Sequence, residues 1–467
     1  MKYPKMKNAT LLAFATVLAP CVLTAQQSLI PEAPPVKLVA ESEPPPPVQQ
    51  QSSSSQTSAA SKPRLTLAEA ERLAQQHNPD ISVAHLLALG QAQVTREVRS
   101  TELPTAAGSL TAVGAHDLSR ITAGQINNPS VYDRAAGGLS VSQLITDFGR
   151  THHLVQSARA NAAAQLENER ATREDIALAV DQAFFQTLTA QAVLKVANGT
   201  VAERQTTVDE ISALAKSKLR STLDLSFAQV ELSQAQLMQL DAQNSVDAAF
   251  ANLNAILGEE SDRRFELVDP TPSVPQAAPV DAEAMVRTAF QARPDLASAM
   301  DAATAARQYS SAERALWMPT VSALAVAGGT PVRADQIQSN WYGAAGANIN
   351  VPVFNGFLFN ARASEAKMRA GAAEEHVRSL RNIIARDVRT AVLNAQNAFQ
   401  RIGVTQQMLN QANMSLDLAQ TRYKLGLSGI VELSQAQLGQ TQAQIAYTNA
   451  RYSYQTSLAV LRFQTGQ

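Results

Sequence analysis

The sequence predicts a mainly α protomer with transmembrane β, built as a tandem repeat. Three observations carry this. An ordered set of motifs occurs twice, two very long stretches contain no proline, and four stretches alternate apolar with polar residues. The composition agrees. Of 467 residues 45% are hydrophobic, much of that share alanine, and only 5% are aromatic, which suits long, closely packed helices better than a thick globular core.

The chain opens with a pattern that reads as a secretory signal over residues 1–25. Lys2, Lys5 and Lys7 precede a short apolar run from Leu11 to Ala19, too short to span a bilayer as a helix. Two processing routes stay open. One cuts after Leu23-Thr24-Ala25; the other makes Cys21 a lipid-modified N-terminus, although Pro20 is an unusual residue before such a cysteine. Residues 26–63 hold a proline run, Pro44 to Pro47, and a serine run, Ser52 to Ser55. That composition buries too little apolar surface to fold and predicts a disordered tether.

The first repeat is expected over 64–257 and the second over 281–467, with a Pro-rich, acidic linker at 258–280. Asn78-Pro79-Asp80-Ile81 answers to Arg293-Pro294-Asp295-Leu296, and Leu103-Pro104-Thr105 to Met318-Pro319-Thr320. Asp224-Leu225-Ser226 answers to Glu432-Leu433-Ser434, so that these matched positions lie 208 to 215 residues apart. A helix is expected between the two prolines of each half, because proline is tolerated in the first turn.

Alternation then predicts strands near 105–117, 132–146, 320–330 and 340–354, around polar loops at 118–131 and 331–339. These reach the 9–11 residues that a tilted transmembrane strand requires. Proline-free stretches follow from 150 to about 215 and from 357 to about 422. As helices, each would extend on the order of 100 Å. The return helices carry heptads: Leu225, Leu232, Gln239, Val246 and Leu253 in one row, Ala228, Ala235, Ala242, Ala249 and Ile256 in the other. The second copy repeats this with Leu433, Gln440, Tyr447, Tyr454 and Leu461 beside Ala436, Ala443, Ala450, Ser457 and Gln464. Small residues in one row let helices approach closely.

Four strands cannot close a barrel, and open sheet edges are not tolerated in lipid. The chain must therefore oligomerise. Three copies would supply twelve strands around a lumen, with the long helices forming a tube below. A balanced charge, 39 Lys and Arg against 40 Asp and Glu, gives no basic surface for nucleic acid. Asp147-Phe148-Gly149 lacks the companions of a kinase signature and is expected to be a strand-to-helix turn. The adjacent His152 and His153 cannot share one helix face, so no metal site is expected. No nucleophile constellation is present, and neither catalytic residues nor a cofactor are expected. Trp317, Trp341 and Tyr342 flank strand ends, where a membrane-interface girdle and simple packing both remain open.

The repeat resembles the TolC-like outer-membrane efflux proteins over about residues 65–465. The two Pro-Asp helix openings and the two Pro-Thr strand openings carry the resemblance. So do Val353-Phe354-Asn355-Gly356 and, most specifically, Arg422-Tyr423-Lys424-Leu425-Gly426-Leu427-Ser428 followed by Val431-Glu432-Leu433 and Gln435-Ala436-Gln437. It implies a homotrimer in outer-membrane lipid, with a twelve-stranded barrel and a large periplasmic helical tunnel. It also implies docking to a periplasmic adaptor and an inner-membrane pump, and export of small molecules. Export of a polypeptide by a type I secretion system is the second expectation, and a periplasmic coiled-coil scaffold is the alternative of a different class.

The resemblance further implies that the hairpin tips face the adaptor. The second tip is Lys424, Leu425, Gly426, Leu427 and Ser428; the first is Lys218, Leu219, Arg220, Ser221 and Thr222. The first lacks the glycine, and matching Lys218-Leu219 to Lys424-Leu425 makes it two residues shorter. A periplasmic gate is implied shortly before the second tip, with Asp417, Gln411 and Asn413 as candidates, although a second aspartate is not evident there.

Overall fold

A computed structural model describes residues 63–114, 134–270, 281–332 and 339–466. The signal segment, Cys21, the tether up to residue 62, the loop 118–131 and residues 271–280 of the linker lie outside the described residues.

Each repeat begins with two short helices joined at a proline. In the first, β1 (Arg64–Leu65) leads to α1 (Leu67–His77) and α2 (Pro79–Ser100). Asn78 accepts from the Asp80 amide at 2.9 Å, so the capping side chain and the proline at the first helical position start α2 together. After β2 (Thr105–Val113) and β3 (Arg134–Thr146), the chain enters α3 (Arg150–Lys216), turns, and returns as α4 (Thr222–Leu257). The linker contributes β4 (Glu266–Leu267), which pairs in parallel with β1, and the second repeat then runs α5 (Ala282–Ala292), α6 (Pro294–Arg314), β5 (Thr320–Val332), β6 (Trp341–Asn350), α7 (Leu358–Lys424) and α8 (Ile430–Thr465). Among the described residues no helix is long and apolar enough to cross a membrane.

The two copies match residue for residue. Pro79 and Pro294 open α2 and α6, and Thr105 and Thr320 open β2 and β5, both pairs 215 positions apart. Beyond the loop between the paired strands the separation is 208, from Arg150 to Leu358 and from Gly258 to Gly466. The loop between the strands thus absorbs the whole difference. Even the strand-to-helix turns agree: Phe148-Gly149 and Gly356-Phe357 both take left-handed backbone. Asp147 accepts from the Thr151 amide at 2.7 Å and the Gly149 amide at 3.2 Å, capping α3.

Three strand expectations need correction, and the third strand runs on to Val332 rather than ending at 330. The fourth strand ends at Asn350 rather than at 354. Asn350 pairs with Thr320, and the next residue back is Pro319, which has no amide to give; Pro352 adds a second missing donor. The first strand ends at Val113, with Ala115 to Asp117 outside the described residues.

β2, β3, β5 and β6 form one antiparallel sheet in that order, so β3–β5 joins the repeats and β2 and β6 are its edges. The register sorts the faces. Thr105, Ser109, Thr111, Ser140, Ser142, Ser322, Asn348 and Asn350 share one side. Leu110, Leu139, Val141, Ala325, Ala345, Ala347 and Ile349 share the other. The sorting is a bias and not a strict alternation, since Leu144, Leu324 and Val326 fall on the first side and Gln143 on the second. Trp341 stands on the apolar side and Tyr342 on the polar side, over Gly138 and Gly328, where any Cβ would strike its ring. Trp317 instead packs edge-on to Phe359, with centroids 5.6 Å apart.

α3 pairs with α4, and α7 with α8, as antiparallel hairpins, and α3 meets α8 between them. The small-residue row of α4 is buried at Ala228, Ala235, Ala242 and Ala249, and Ala443 and Ala450 of α8 are buried likewise. The main core lies where α1 crosses the hairpins, around Phe184, Phe185, Phe250, Leu253 and Leu257.

Candidate functional site

The two hairpin turns are built alike. Each runs five residues, 217–221 and 425–429. In the first, Lys218 takes left-handed backbone (φ 62°), with Lys218 N–H donating to Ala215 O and Leu219 N–H to Leu214 O, both at 2.9 Å. In the second, Gly426 does the same (φ 73°), with Gly426 N–H donating to Tyr423 O at 3.0 Å and Leu427 N–H to Arg422 O at 2.8 Å. Both helices end in this double-bonded left-handed cap. The first tip is therefore not two residues shorter. Lys218 answers to Gly426, not to Lys424, and Leu219 to Leu427; the shared Lys-Leu pair was a false match.

The turns lie together. Arg220 Nη2 donates to the Tyr423 carbonyl at 2.8 Å, and its guanidinium sits 4.3 Å from the Tyr423 ring centre. Arg422 pairs with Glu432 at 3.1 Å across the second turn. Beneath them Val208, Ile211, Leu416, Tyr423, Ile430 and Leu433 form one small core shared by both hairpins. Burial raises the Tyr423 phenol above its ordinary value, and its hydroxyl meets no protein partner. Around this core Leu219, Leu425 and Leu427 stand about 70% exposed. The tips thus present an exposed leucine crown on a braced base.

Asp417, Gln411 and Asn413 are all exposed on α7. Asn413 and Asp417 are one turn apart and share a face, whereas Gln411 does not join them. The repeat places a second aspartate at the matching position of the first hairpin. Asp209 on α3 is the 208-residue counterpart of Asp417, exposed as well, and accepts from Gln205 at 3.0 Å.

Higher up, α3 meets α8 through a buried polar seam. Arg204 donates to Gln437 and lies 3.7 Å from Glu231, and Gln437 in turn donates to Glu203 at 3.1 Å. Thr200 and Thr441 continue the seam at 3.4 Å. Burial lowers the Arg204 pKa, while Glu231 and Glu203 oppose the shift. No period in the sequence marks these residues, because each is an isolated polar side chain inside an otherwise ordinary heptad.

The outer membrane efflux protein family model matches residues 71–259 and 285–467, which spans both repeats. The chain belongs to that family. This outer membrane efflux protein is 24% identical over 75% of its length to a probable efflux pump outer membrane protein, TtgC, of Pseudomonas putida, covering 73% of the relative. It is 23% identical over 72% of its length to the outer membrane protein TolC of Vibrio cholerae, covering 78% of it. Its fold is similar to that of the outer membrane protein VceC of Vibrio cholerae, with a TM-score of 0.74 at 21% identity, over 86% of this chain and 96% of that one. Among its described residues no group of three or more His, Cys, Asp or Glu side chains is placed to hold a metal ion. His153 bonds Gln308 at 2.9 Å instead.

Proposed function

We propose that three copies of this outer membrane efflux protein close into a twelve-stranded barrel above a helical tunnel. The assembly is the exit duct of a tripartite system that moves small molecules outward. One observation carries the reading. α6 packs against both α3 and α7, whereas its repeat counterpart α2 packs against α3 and leaves Val83, Leu86 and Leu87 more than half exposed. A neighbour's α7 would give α2 the second partner that α6 already has. The same step pairs β6 of one copy with β2 of the next, as β3 pairs with β5, and satisfies both edges. The stripe Leu223, Phe227, Val230, Leu237 and Leu240 on α4 would then meet a neighbouring helix rather than water.

In this arrangement the hydroxyl and amide face of the sheet lines the lumen and the alanine and leucine face meets lipid. The long hairpins reach through the periplasm. Their tips, at Lys218 to Ser221 and Lys424 to Ser428, dock the adaptor of an inner-membrane pump. Asp417 and Asp209 place a ring of six carboxylates near the tunnel end. The signal segment 1–25 directs export, Cys21 is either removed with it or acylated, and residues 26–63 tether the body. An apolar strand face has no purpose in a soluble scaffold, which disfavours that alternative. Mass measured by light scattering in mild detergent tests the proposal: a trimer is expected, and a monomer that stays soluble without detergent would overturn it.

A further inference from the structure

The last turns of α8 border a cavity of about 180 Å³, lined by Glu71 of α1, Glu174 and Asp181 of α3, and Arg462 and Phe463 of α8. An adjoining cavity of about 100 Å³ shares Glu174 and Phe463 and adds Asp175, Arg293 and Asp295. Five carboxylates thus face two guanidinium groups. Arg293 is already committed: it holds Asp295 through two nitrogens, at 3.0 and 2.7 Å, and donates to Gln464. Arg462 reaches only one oxygen of Asp181, Oδ2, at 3.4 Å.

Asp181 is the unusual member. It is 7% exposed, and its Oδ1 is shut off from solvent and meets no protein donor. The Glu71 carboxyl lies within hydrogen-bonding reach of it. Two carboxyls in contact, with no donor between them, are held together by a shared proton; both ionised, they repel at close range in a poorly solvated site.

We propose that the Glu71–Asp181 pair is a proton-dependent latch, fastening α1 to α3 while it holds its proton and loosening when the proton leaves. Both carboxyls belong to the first repeat, while Arg462 of α8 reaches Asp181 from the second and favours its ionised form. Acid in the surrounding compartment stiffens the seat of α1 on α3.

The titration supports this. Burial, then the contact with Glu71, pushes Asp181 up to about 7, and Arg462 offsets part of the rise. Burial also raises Glu174 and Asp175, with Asp295 adding to both and Arg293 opposing. The sign follows from linkage. A carboxyl raised in the folded state adds stability that is complete below its unfolded value of about 3.9 and is lost as pH rises to and through the folded value. The loss therefore runs from roughly pH 4 to pH 7, at up to about tenfold in the opening equilibrium per pH unit, and levels off above.

The test uses the whole mature protein in mild detergent. Thermal midpoints are measured from about pH 5 to about pH 8, with the protonated-carboxyl infrared band followed over the same range. The wild type should lose midpoint temperature up to about pH 7 and then level off, as a band titrating near that pH disappears. Asp181→Asn, which keeps a neutral side chain of the same shape, should hold the acid-side midpoint throughout and lack the band. Glu71→Gln should do likewise and guards against a folding defect in the first variant. Equal pH slopes in wild type and both variants would overturn the latch, as would a band that persists in Asp181→Asn. Neither readout depends on transport, so the result stands apart from the duct proposal.

Discussion

Arg220 in the turn of the first repeat caps the helix end of the second: its Nη2 donates to the Tyr423 carbonyl at 2.8 Å while the guanidinium lies over the same residue's ring. One side chain thus braces both tips. A planar cation can bond and stack at once, which an ammonium cannot. Arg220→Ala should loosen the tips by about 1–2 kcal/mol, and Arg220→Lys should recover less than half of that. Limited proteolysis at residues 217–221 and 425–429 checks this: cleavage should speed up in the alanine variant with the distant core unaffected.

Lys218 and Gly426 occupy the same left-handed position in the two turns. A side chain there costs roughly 1–2 kcal/mol, whereas glycine costs nothing sterically. Lys218→Gly should raise thermal stability by about 1 kcal/mol or less, after the entropy that glycine loses on folding. If Lys218 also touches an adaptor, transport falls while stability rises. Gly426→Val should strain the second turn and abolish transport while trimers persist; normal transport would remove the second tip from the docking proposal.

The repeat fixes a register between copies. Ser140 pairs with Val326 inside the protomer, and stepping forward 208 and back 215 positions sets Asn348 of one copy opposite Thr111 of the next. Cα atoms of directly opposed residues lie about 4.5–5.5 Å apart, within disulfide range. A chain carrying Asn348→Cys and Thr111→Cys should run as a covalent trimer on a non-reducing gel. Asn348→Cys with Thr105→Cys, six residues out of register, should not. Equal cross-linking by both pairs would refute the closure.

Asp417 and Asp209 should set the cation preference of the duct together. Asp417→Asn should reduce the reversal potential across a salt gradient in a planar bilayer, and the double variant with Asp209→Asn should bring it close to zero. An unchanged potential in the double variant would remove both residues from the gate.

The sequence by itself determined the elements and their order. Proline at the first helical turn marks where α2 and α6 start, the absence of proline sets the reach of α3 and α7, and period-two alternation marks the strands and their two faces. These signals are local, since each depends on steric limits and on which side of one element is apolar. The fold class and the family were legible for that reason. Tertiary structure alone decided what crosses between elements. Only packing places Arg220 on Tyr423, sets Lys218 rather than Lys424 at the left-handed corner, pairs Arg204 with Gln437, and brings Glu71 against Asp181. Such contacts depend on how two long helices are shifted along each other, and a lone polar residue in a heptad has no neighbour in sequence to announce its partner.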